Sequence, residues 1–233
     1  MTKSFLPLVV VITATVCLHP ICSDAKPKTI EQLTAENFAG KYRKGPKTSI
    51  ARKGTKIVWI KQSKDLHSLL ITLPKDAAFR AQYPALRKGI KKWPATREPE
   101  ETRNVRIKSC WIVSAKHEGA EGGDRDFHVV ISQSPTNFHE VMNVEVSALP
   151  KPANADSAGL REVRSLLLTL ADKPPPGGFA KMTPPKHVLL EGSLYFDGDH
   201  DAGGKKDPGP SWAKPKTVWE IHPVTKIKVL KQP

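Results

Sequence analysis

The clearest pattern in the chain is an alternation of apolar and polar residues that recurs in five segments after residue 100. Three segments follow one another closely, namely VRIKSCWIVSAKHE, FHVVISQ and EVMNVEVSAL. Two more, HVLLEGSLYF and TVWEIHPVTKIKVL, come after a longer break. A period of two residues places successive side chains on opposite faces of a strand. We therefore predict five β-strands within residues 101–233.

The break between the third and fourth segments has the period of a helix. In SAGLREVRSLLLTLAD, apolar residues recur at spacings of three and four, and KPPPGG ends the pattern. Three strands, a helix and two strands are typical of an OB-like Greek-key barrel. Gly192 in the fourth strand indicates a bulge or a barrel bend. We predict a mainly β fold of this kind; another small barrel or an α+β sandwich is the alternative.

The residues before about 100 are not needed for that barrel. The segment TIEQLTAENFAGKY predicts a short helix with Thr34 as its N-cap, and TKIVWI and HSLLITL predict two strands. The composition of PATREPEETRN is that of a linker. We expect residues 26–100 to form a small N-terminal α/β extension or subdomain, followed by the barrel domain, residues 101–233.

The first 25 residues have the pattern of a secretory signal peptide. Lys3 precedes the apolar run FLPLVVVITATVCL, and the small residues Ser23 and Ala25 suit cleavage after residue 25. A lipoprotein cleaved before Cys17 or Cys22 is the alternative, although a bulky residue precedes each cysteine. We therefore expect a secreted or periplasmic protein.

The chain is strongly basic, with 37 lysines and arginines against 23 aspartates and glutamates and a net charge of +14. Removing residues 1–25 takes away one lysine and one aspartate, so the net charge stays the same. This balance favours nucleic acid or another polyanion as a partner, whereas lysine-rich surfaces also simply keep proteins soluble.

Trp212, in the lysine-rich loop PGPSWAKPK, is a candidate for stacking on a base or a sugar. The alternative is that its side chain anchors the loop to the barrel.

The sequence lacks the motifs that mark several kinds of catalytic site. There is no G-x-S-x-G elbow for a nucleophilic serine and no glycine-rich phosphate loop before a helix. Cys110 is the cysteine that remains after the predicted signal peptide, and it lies among apolar neighbours. A small buried hydrophobe is one interpretation, and an intermolecular disulfide is the other.

Acid–histidine pairs are the main candidates for chemistry. The pairs Asp126 with His128 and Glu220 with His222 each lie two residues apart, which places both members on one strand face. Asp197 and His200 follow the fourth strand, and a further set at the end of the first strand comprises His117, Glu118 and Asp124. Imidazole and carboxylate groups suit a divalent metal ion or general acid–base work. No metal motif of known spacing is present, so a purely structural polar network is the alternative.

Three of these pairs also carry a resemblance. The motifs D-x-H-V-V, F-D-x-x-H and E-I-H-P-V occur in this order and resemble those of a group of exported bacterial proteins, over roughly residues 105–230. The resemblance implies an OB-like barrel and carries no established activity. The residues that match it are Asp126, His128, Asp197, His200, Glu220, His222 and Pro223.

Two hypotheses about function follow. The first is an exported binding protein whose basic barrel surface meets an anionic or polar ligand. The second is a metal-dependent hydrolase, with a phosphodiesterase or nuclease-like enzyme as the example, that uses the Asp, His and Glu pairs. Through its barrel the chain also resembles the staphylococcal nuclease group, but no arginine pair matching that group occurs in the barrel region, where Arg125 is isolated in sequence.

Overall fold

The structure is a computed structural model. It describes residues 28–40, 43–53, 56–57, 59–86, 94–119, 123–172, 174–200 and 209–232. The predicted signal peptide, residues 1–25, lies outside the described residues. Within the described part of the chain, no helix is long and apolar enough to cross a membrane.

The N-terminal part holds short elements and the C-terminal part long ones. The helices are α1 (Ile30–Thr34), α2 (Lys44–Thr48), α3 (Leu66–Leu70), α4 (Asp76–Gln82) and α5 (Ser157–Leu170), with 3₁₀ turns at Pro84–Leu86 and Pro99–Thr102. The strands are β1 (Arg52–Lys53), β2 (Lys56–Ile57), β3 (Trp59–Ser63), β4 (Asn104–His117), β5 (Phe127–Ser132), β6 (Val141–Val146), β7 (Ala180–Phe196) and β8 (Trp219–Val229).

Five of these strands close into a barrel, as the alternation predicts. The order is β4-β5-β6-β8-β7, and β7 pairs back on β4. The pairing of β6 with β8 is parallel, and the other pairings within the barrel are antiparallel. The fold is therefore mainly β and consistent with an OB-like barrel. In the chain, α5 comes between β6 and β7, the third and fourth barrel strands.

Alternation along the strands separates a dry interior from a polar exterior. Phe127, Val129 and Ile131 of β5 point into the main hydrophobic core, together with Val144 of β6 and Trp219 of β8. Burying each such large side chain contributes about 1.5–3 kcal/mol. The residues between them in sequence therefore lie on the outer face of the same strands.

A bulge interrupts the pairing of β7 with β8. Gly192 pairs with Val224, and the register shifts before Leu194 pairs with Ile221. A Cβ atom on Gly192 would lie 2.3 Å from the carbonyl oxygen of Pro223, so only glycine allows this close approach. The bulge predicted at Gly192 is confirmed.

The N-terminal segment packs on the barrel. Leu33, Leu66 and Phe79 belong to the same hydrophobic core as the barrel residues, and β3 adds a parallel strand beside β4. The buried Arg164 of α5 donates to the carbonyl oxygen of Leu33, at 2.6 Å from Nη2. This bond ties α1 to the barrel's own helix.

Two local predictions for this segment are wrong. HSLLITL forms helix α3 in place of a strand, because Asp65 caps it by accepting from the backbone N–H of Ser68 at 2.9 Å. Thr34 ends α1 in place of starting a helix, since Thr29 is the N-cap and forms a capping box with Gln32.

The segment predicted as a linker is ordered around a buried ion pair. Glu101 accepts from both terminal nitrogens of Arg43, at 2.7 and 2.5 Å, and both side chains are fully buried. Glu101 also accepts from the backbone N–H groups of Glu98 and Phe196. Composition misled here because Glu101, a charged residue that suggests a linker, is fully buried and is satisfied by Arg43 from a distant part of the chain.

The lone cysteine lies in the barrel core. Cys110 is 1% exposed, and burial raises the pKa of its thiol to about 12. A thiol held in its protonated form inside a hydrophobic core is unreactive, which favours the packing interpretation.

Candidate metal centre

A polar cluster covers the outer face of β5, β6 and β8. Its members occupy positions that alternate with the core residues. They are Asp126 directly before β5, His128 on β5, Asn143 and Glu145 on β6, and Glu220 and His222 on β8. The strand pairing brings these positions side by side, since His128 pairs with Glu145 and Val144 with Ile221. In OB-folds, the face built on the second and third strands commonly carries the ligand.

Three of these side chains converge. One ligand atom from each of Asp126, Glu145 and His222 lies within 4.8 Å of the other two, and all three residues are buried. Nε2 of His222 lies 3.2 Å from Oδ2 of Asp126, and Nδ1 of His222 lies 3.0 Å from Oε2 of Glu145. This spacing allows one metal ion with bonds near 2 Å to reach all three.

Each side chain of this trio has one buried polar atom without a hydrogen-bond partner. They are Oδ2 of Asp126, Oε2 of Glu145 and Nε2 of His222, each shielded from solvent. The short distances therefore do not correspond to aligned N–H···O bonds, because the oxygens lie off the N–H directions. Buried polar atoms are normally satisfied, so three unpartnered atoms within one cluster, two of them carboxylate oxygens, indicate a missing positive partner.

Neighbouring bonds hold the trio in place. The backbone N–H of Ala148 donates to Oδ1 of Asp126 at 2.5 Å, which leaves Oδ2 directed at His222. Oε1 of Glu220 lies 3.2 Å from Nδ1 of His222, and Nδ2 of Asn143 donates to Oε2 of Glu220 at 3.1 Å. A proton on Nδ1, held by Glu220, leaves the Nε2 lone pair facing Asp126. Carboxylate–histidine pairs of this kind orient metal-binding imidazoles.

The remaining sequence candidates border the trio. Nε2 of His128 lies 2.9 Å from Glu118 and 3.3 Å from Oε1 of Glu145. His200 and Asp197 are bonded to each other through Nδ1 and Oδ2. Thus the six predicted residues belong to one region, but His128 and His200 join it only through Glu145 and Asp197.

A second set of donors shares a member with the first. Oxygen atoms of Glu145, Asp197 and Glu220 also lie within 4.8 Å of one another. Beside them, Lys47 of α2 forms an ion pair with Asp124, and its Nζ lies 5.7 Å from the ring centre of Tyr195. Lys47 thus brings a positive charge from the N-terminal segment to Asp124, which lies two residues before Asp126.

The carboxylates of the cluster create a negative environment that favours a bound cation. Burial alone would lower the pKa of His222, but Glu145, Asp126 and Glu220 outweigh it and raise that pKa well above its usual range. Burial and the nearby Glu145 raise the pKa of Glu220 to about 7. Burial would raise the pKa of Glu145 too, yet His128 and His222 lower it well below its usual range. The charges at this site favour a bound cation at His222, either a proton or a metal ion.

The N-terminal segment covers the cluster. The guanidinium of Arg43 lies over the ring of Tyr195 at 4.6 Å, and that ring is 5.2 Å from the ring of His222. Nη2 of Arg97 donates to the carbonyl oxygens of His222 and Ser49, at 2.8 and 3.1 Å. The extension therefore shields the polar face from water, which strengthens every charge interaction there.

Sequence reasoning missed Glu145, Asn143 and Lys47. The sequence does carry a signal for Asn143 and Glu145, because they are the polar positions of an otherwise apolar strand, VMNVEV.

The predicted set of His117, Glu118 and Asp124 at the end of β4 does not stay together in the structure. Glu118 contacts His128, but His117 turns to Glu36 of the N-terminal segment, with 2.8 Å between Nε2 and Oε2.

Trp212 lies on a different patch of the outer face. Its ring packs edge-on against Phe138, with 5.0 Å between ring centres, and Nζ of Lys181 lies 5.5 Å from the Trp212 ring. The next residue, Ala213, is buried in a small cluster with Trp111 and Val130. Trp212 thus anchors its loop while 38% of its surface stays exposed.

Comparison of the chain with models of known protein families, with curated proteins and with solved structures gave no match. The resemblance to exported bacterial proteins therefore stays a prediction.

Proposed function

We propose that this protein binds one divalent metal ion through Asp126, Glu145 and His222. The observation that supports the proposal is that Asp126, Glu145 and His222 bring ligand atoms within 4.8 Å of one another and that each carries a buried atom without a hydrogen-bond partner. Removing an anionic carboxylate from water costs several kcal/mol unless a partner compensates it. A metal ion bound by this trio would supply that compensation.

The donor atoms of the three residues indicate which metal ions should bind. One imidazole nitrogen with carboxylate oxygens suits Mn²⁺, Fe²⁺ or Zn²⁺. Ca²⁺ and Mg²⁺ prefer sites made of oxygen atoms alone. We therefore expect a first-row transition metal to bind more tightly than either alkaline-earth ion.

Metal analysis of protein produced without a histidine tag tests the proposal. We expect about one equivalent of a transition metal per chain after dialysis, and a higher midpoint of thermal unfolding when the metal is present, because binding to the native state stabilises it. Asp126→Asn and His222→Gln should each abolish stoichiometric binding.

Matched controls separate loss of ligands from general damage. Asp172→Asn changes an exposed aspartate whose positive φ of 43° asparagine tolerates, and His139→Gln changes an exposed histidine. Both should bind metal as the wild type does. Wild-type protein that takes up no transition metal at neutral pH, even when titrated with it, would refute the proposal.

A second candidate is metal-dependent hydrolysis, and the number of donors favours it. Three protein ligands leave at least one position of a four- to six-coordinate ion for water or substrate, as in catalytic zinc sites. A bound metal there would activate that water as a nucleophile. The test is turnover of bis(p-nitrophenyl) phosphate by the metal-loaded protein, with Asp126→Asn as the inactive variant; equal rates for both would reject this candidate.

A further inference from the structure

Strands β4 and β7 bring a serine and a histidine together, away from the polar cluster of β5, β6 and β8. Oγ of Ser109 lies 2.9 Å from Nε2 of His187. The other ring nitrogen of His187, Nδ1, lies 2.8 Å from the backbone carbonyl oxygen of Lys231. Both Ser109 and His187 are half-buried, so a molecule in the solvent can reach them.

The carbonyl group of Lys231 determines which ring nitrogen of His187 carries the proton. A carbonyl oxygen only accepts hydrogen bonds, so Nδ1 is the donor and holds the proton. In the neutral ring, Nε2 then has the free lone pair and accepts from the hydroxyl group of Ser109. A serine bonded to an imidazole that a third group orients is the arrangement of a nucleophile with its general base.

The strands around the pair hold both side chains in place. The pairing of β4 with β7 shifts register between Ile107 and Cys110. Both of these residues lie in the core, so the bulge places Ser109 on the outer face, and bulges commonly redirect a side chain in this way. Trp111 lies directly opposite His187, and their rings stack with 4.6 Å between centres and 19° between planes. The imidazole is therefore fixed by a ring on one face and by hydrogen bonds at both nitrogens.

We propose that Ser109 and His187 form an acyl-transfer site that reacts with carboxylic esters and works independently of the metal centre. Oγ of Ser109 attacks the ester carbonyl carbon while Nε2 of His187 takes the hydroxyl proton. The bond from the carbonyl carbon to the alcohol oxygen then breaks, and the alcohol leaves with that proton. Water hydrolyses the acyl–serine by the same route, which releases the carboxylic acid and restores the Ser109 hydroxyl.

Two lysines lie close to the pair in the strand register. Lys108 directly precedes Ser109, and Lys228 of β8 pairs with Leu189, the β7 residue across from the bulge. Both lysines are exposed. Positive charge near the reacting carbonyl group stabilises the negative oxygen that develops during the attack.

Reaction with p-nitrophenyl acetate, followed by tandem mass spectrometry, tests the inference. We expect an acetyl group on Ser109 of the wild type, and release of p-nitrophenolate that falls in Ser109→Ala. His187→Gln should lower the rate of Ser109 acetylation about 100-fold or more, the usual loss when a general base is removed. The rate should be the same in the presence of EDTA, because the step uses no metal ion.

Ser165→Ala and His139→Gln are the matched controls, because each changes an exposed residue of the same type elsewhere, and both should be acetylated at Ser109 as the wild type is. Circular dichroism verifies that each variant is folded. Wild-type protein without acetyl on Ser109 would overturn the inference, as would acetylation of His187→Gln at the wild-type rate. Loss of the reaction in EDTA would assign it to the metal centre and overturn the inference as well.

Discussion

Nε2 of His222 and Oδ2 of Asp126 lie 3.2 Å apart, both fully buried and both without an aligned hydrogen bond. The two residues are far apart in sequence and come from opposite sides of the β5-β6-β8 surface. A lone pair facing a carboxylate in a dry environment is repulsive unless a cation lies between or beside the two atoms.

The orientation of His222 depends on Glu220. Glu220→Gln removes the negative charge that accepts from Nδ1 at 3.2 Å, so the imidazole becomes a weaker and less well oriented ligand. We expect metal affinity to fall about 10–100-fold, the usual effect of losing such a partner. Competition with a chromophoric chelator measures it, and Glu162→Gln on the exposed face of α5 is the control. An unchanged affinity would mean that Glu220 does not position His222.

The buried pair of Arg43 and Glu101 should matter greatly for stability. Glu101→Gln leaves a fully buried guanidinium without its counter-charge, and such a change costs about 3–5 kcal/mol. Urea unfolding of the variant should show a correspondingly lower free energy of unfolding, whereas the exposed Glu31→Gln should change it by less than about 0.5 kcal/mol. A small effect of Glu101→Gln would show that the extension is not held by this pair.

Acid stability should depend on Glu36. Burial would raise the pKa of Glu36, but hydrogen bonds from His117 and Lys28 outweigh it and lower the pKa from 4.5 to about 2. A lowered pKa stabilises the folded state above pH 4.5, and this stabilisation is lost as the pH falls from 4.5 to about 2.

The comparison of wild type with Glu36→Gln isolates that contribution. The difference in their free energies of unfolding should be largest at pH 6 and shrink steadily at pH 4 and pH 3. Urea titrations at the three pH values measure it. A constant difference across this range would contradict the assignment.

Alanine substitutions at Gly192 and Gly159 should change the stability of the fold in opposite directions. Gly192→Ala puts a Cβ atom 2.3 Å from the carbonyl oxygen of Pro223, and such overpacking costs about 1–3 kcal/mol. Gly159 lies in α5 with nothing within 4 Å of its added Cβ, so Gly159→Ala should stabilise by about 0.5–1 kcal/mol. Thermal unfolding of the two variants should therefore shift in opposite directions, and a shift in the same direction would contradict the close approach at the bulge.

The polyanion hypothesis from the sequence remains a prediction, and Trp212 offers a test. If the exposed ring and its neighbour Lys181 contact a single-stranded polynucleotide, Trp212→Ala should weaken binding by about 1–3 kcal/mol, the usual value of one stacked base. Trp212→Phe should retain part of the affinity. Fluorescence titrations over a series of salt concentrations measure both, and no binding even at low salt would exclude the hypothesis.

Much of the barrel could be predicted because its strands alternate with the period of a half-buried sheet. The face that carries Glu220 and His222 also follows from this alternation, with Trp219 and Ile221 inward as expected. Val224 departs from it, since the alternation places it beside Glu220, whereas the structure places it in the core. The bulge at Pro223 adds a residue to β8 and turns Val224 inward, and a second register shift before Lys226 restores the alternation, so that Ile227 also lies in the core.

The sequence by itself determined the barrel strands, the helix before the fourth of them and the acid–histidine pairs, because each depends on residues only two to four positions apart. It did not determine which pairs meet. Asp126, Glu145 and His222 converge only through the closure of β5, β6 and β8, and Lys47 pairs with Asp124 because α2 folds over that face. Contacts between residues up to about a hundred positions apart follow from strand order and packing, which leave no local pattern in the chain.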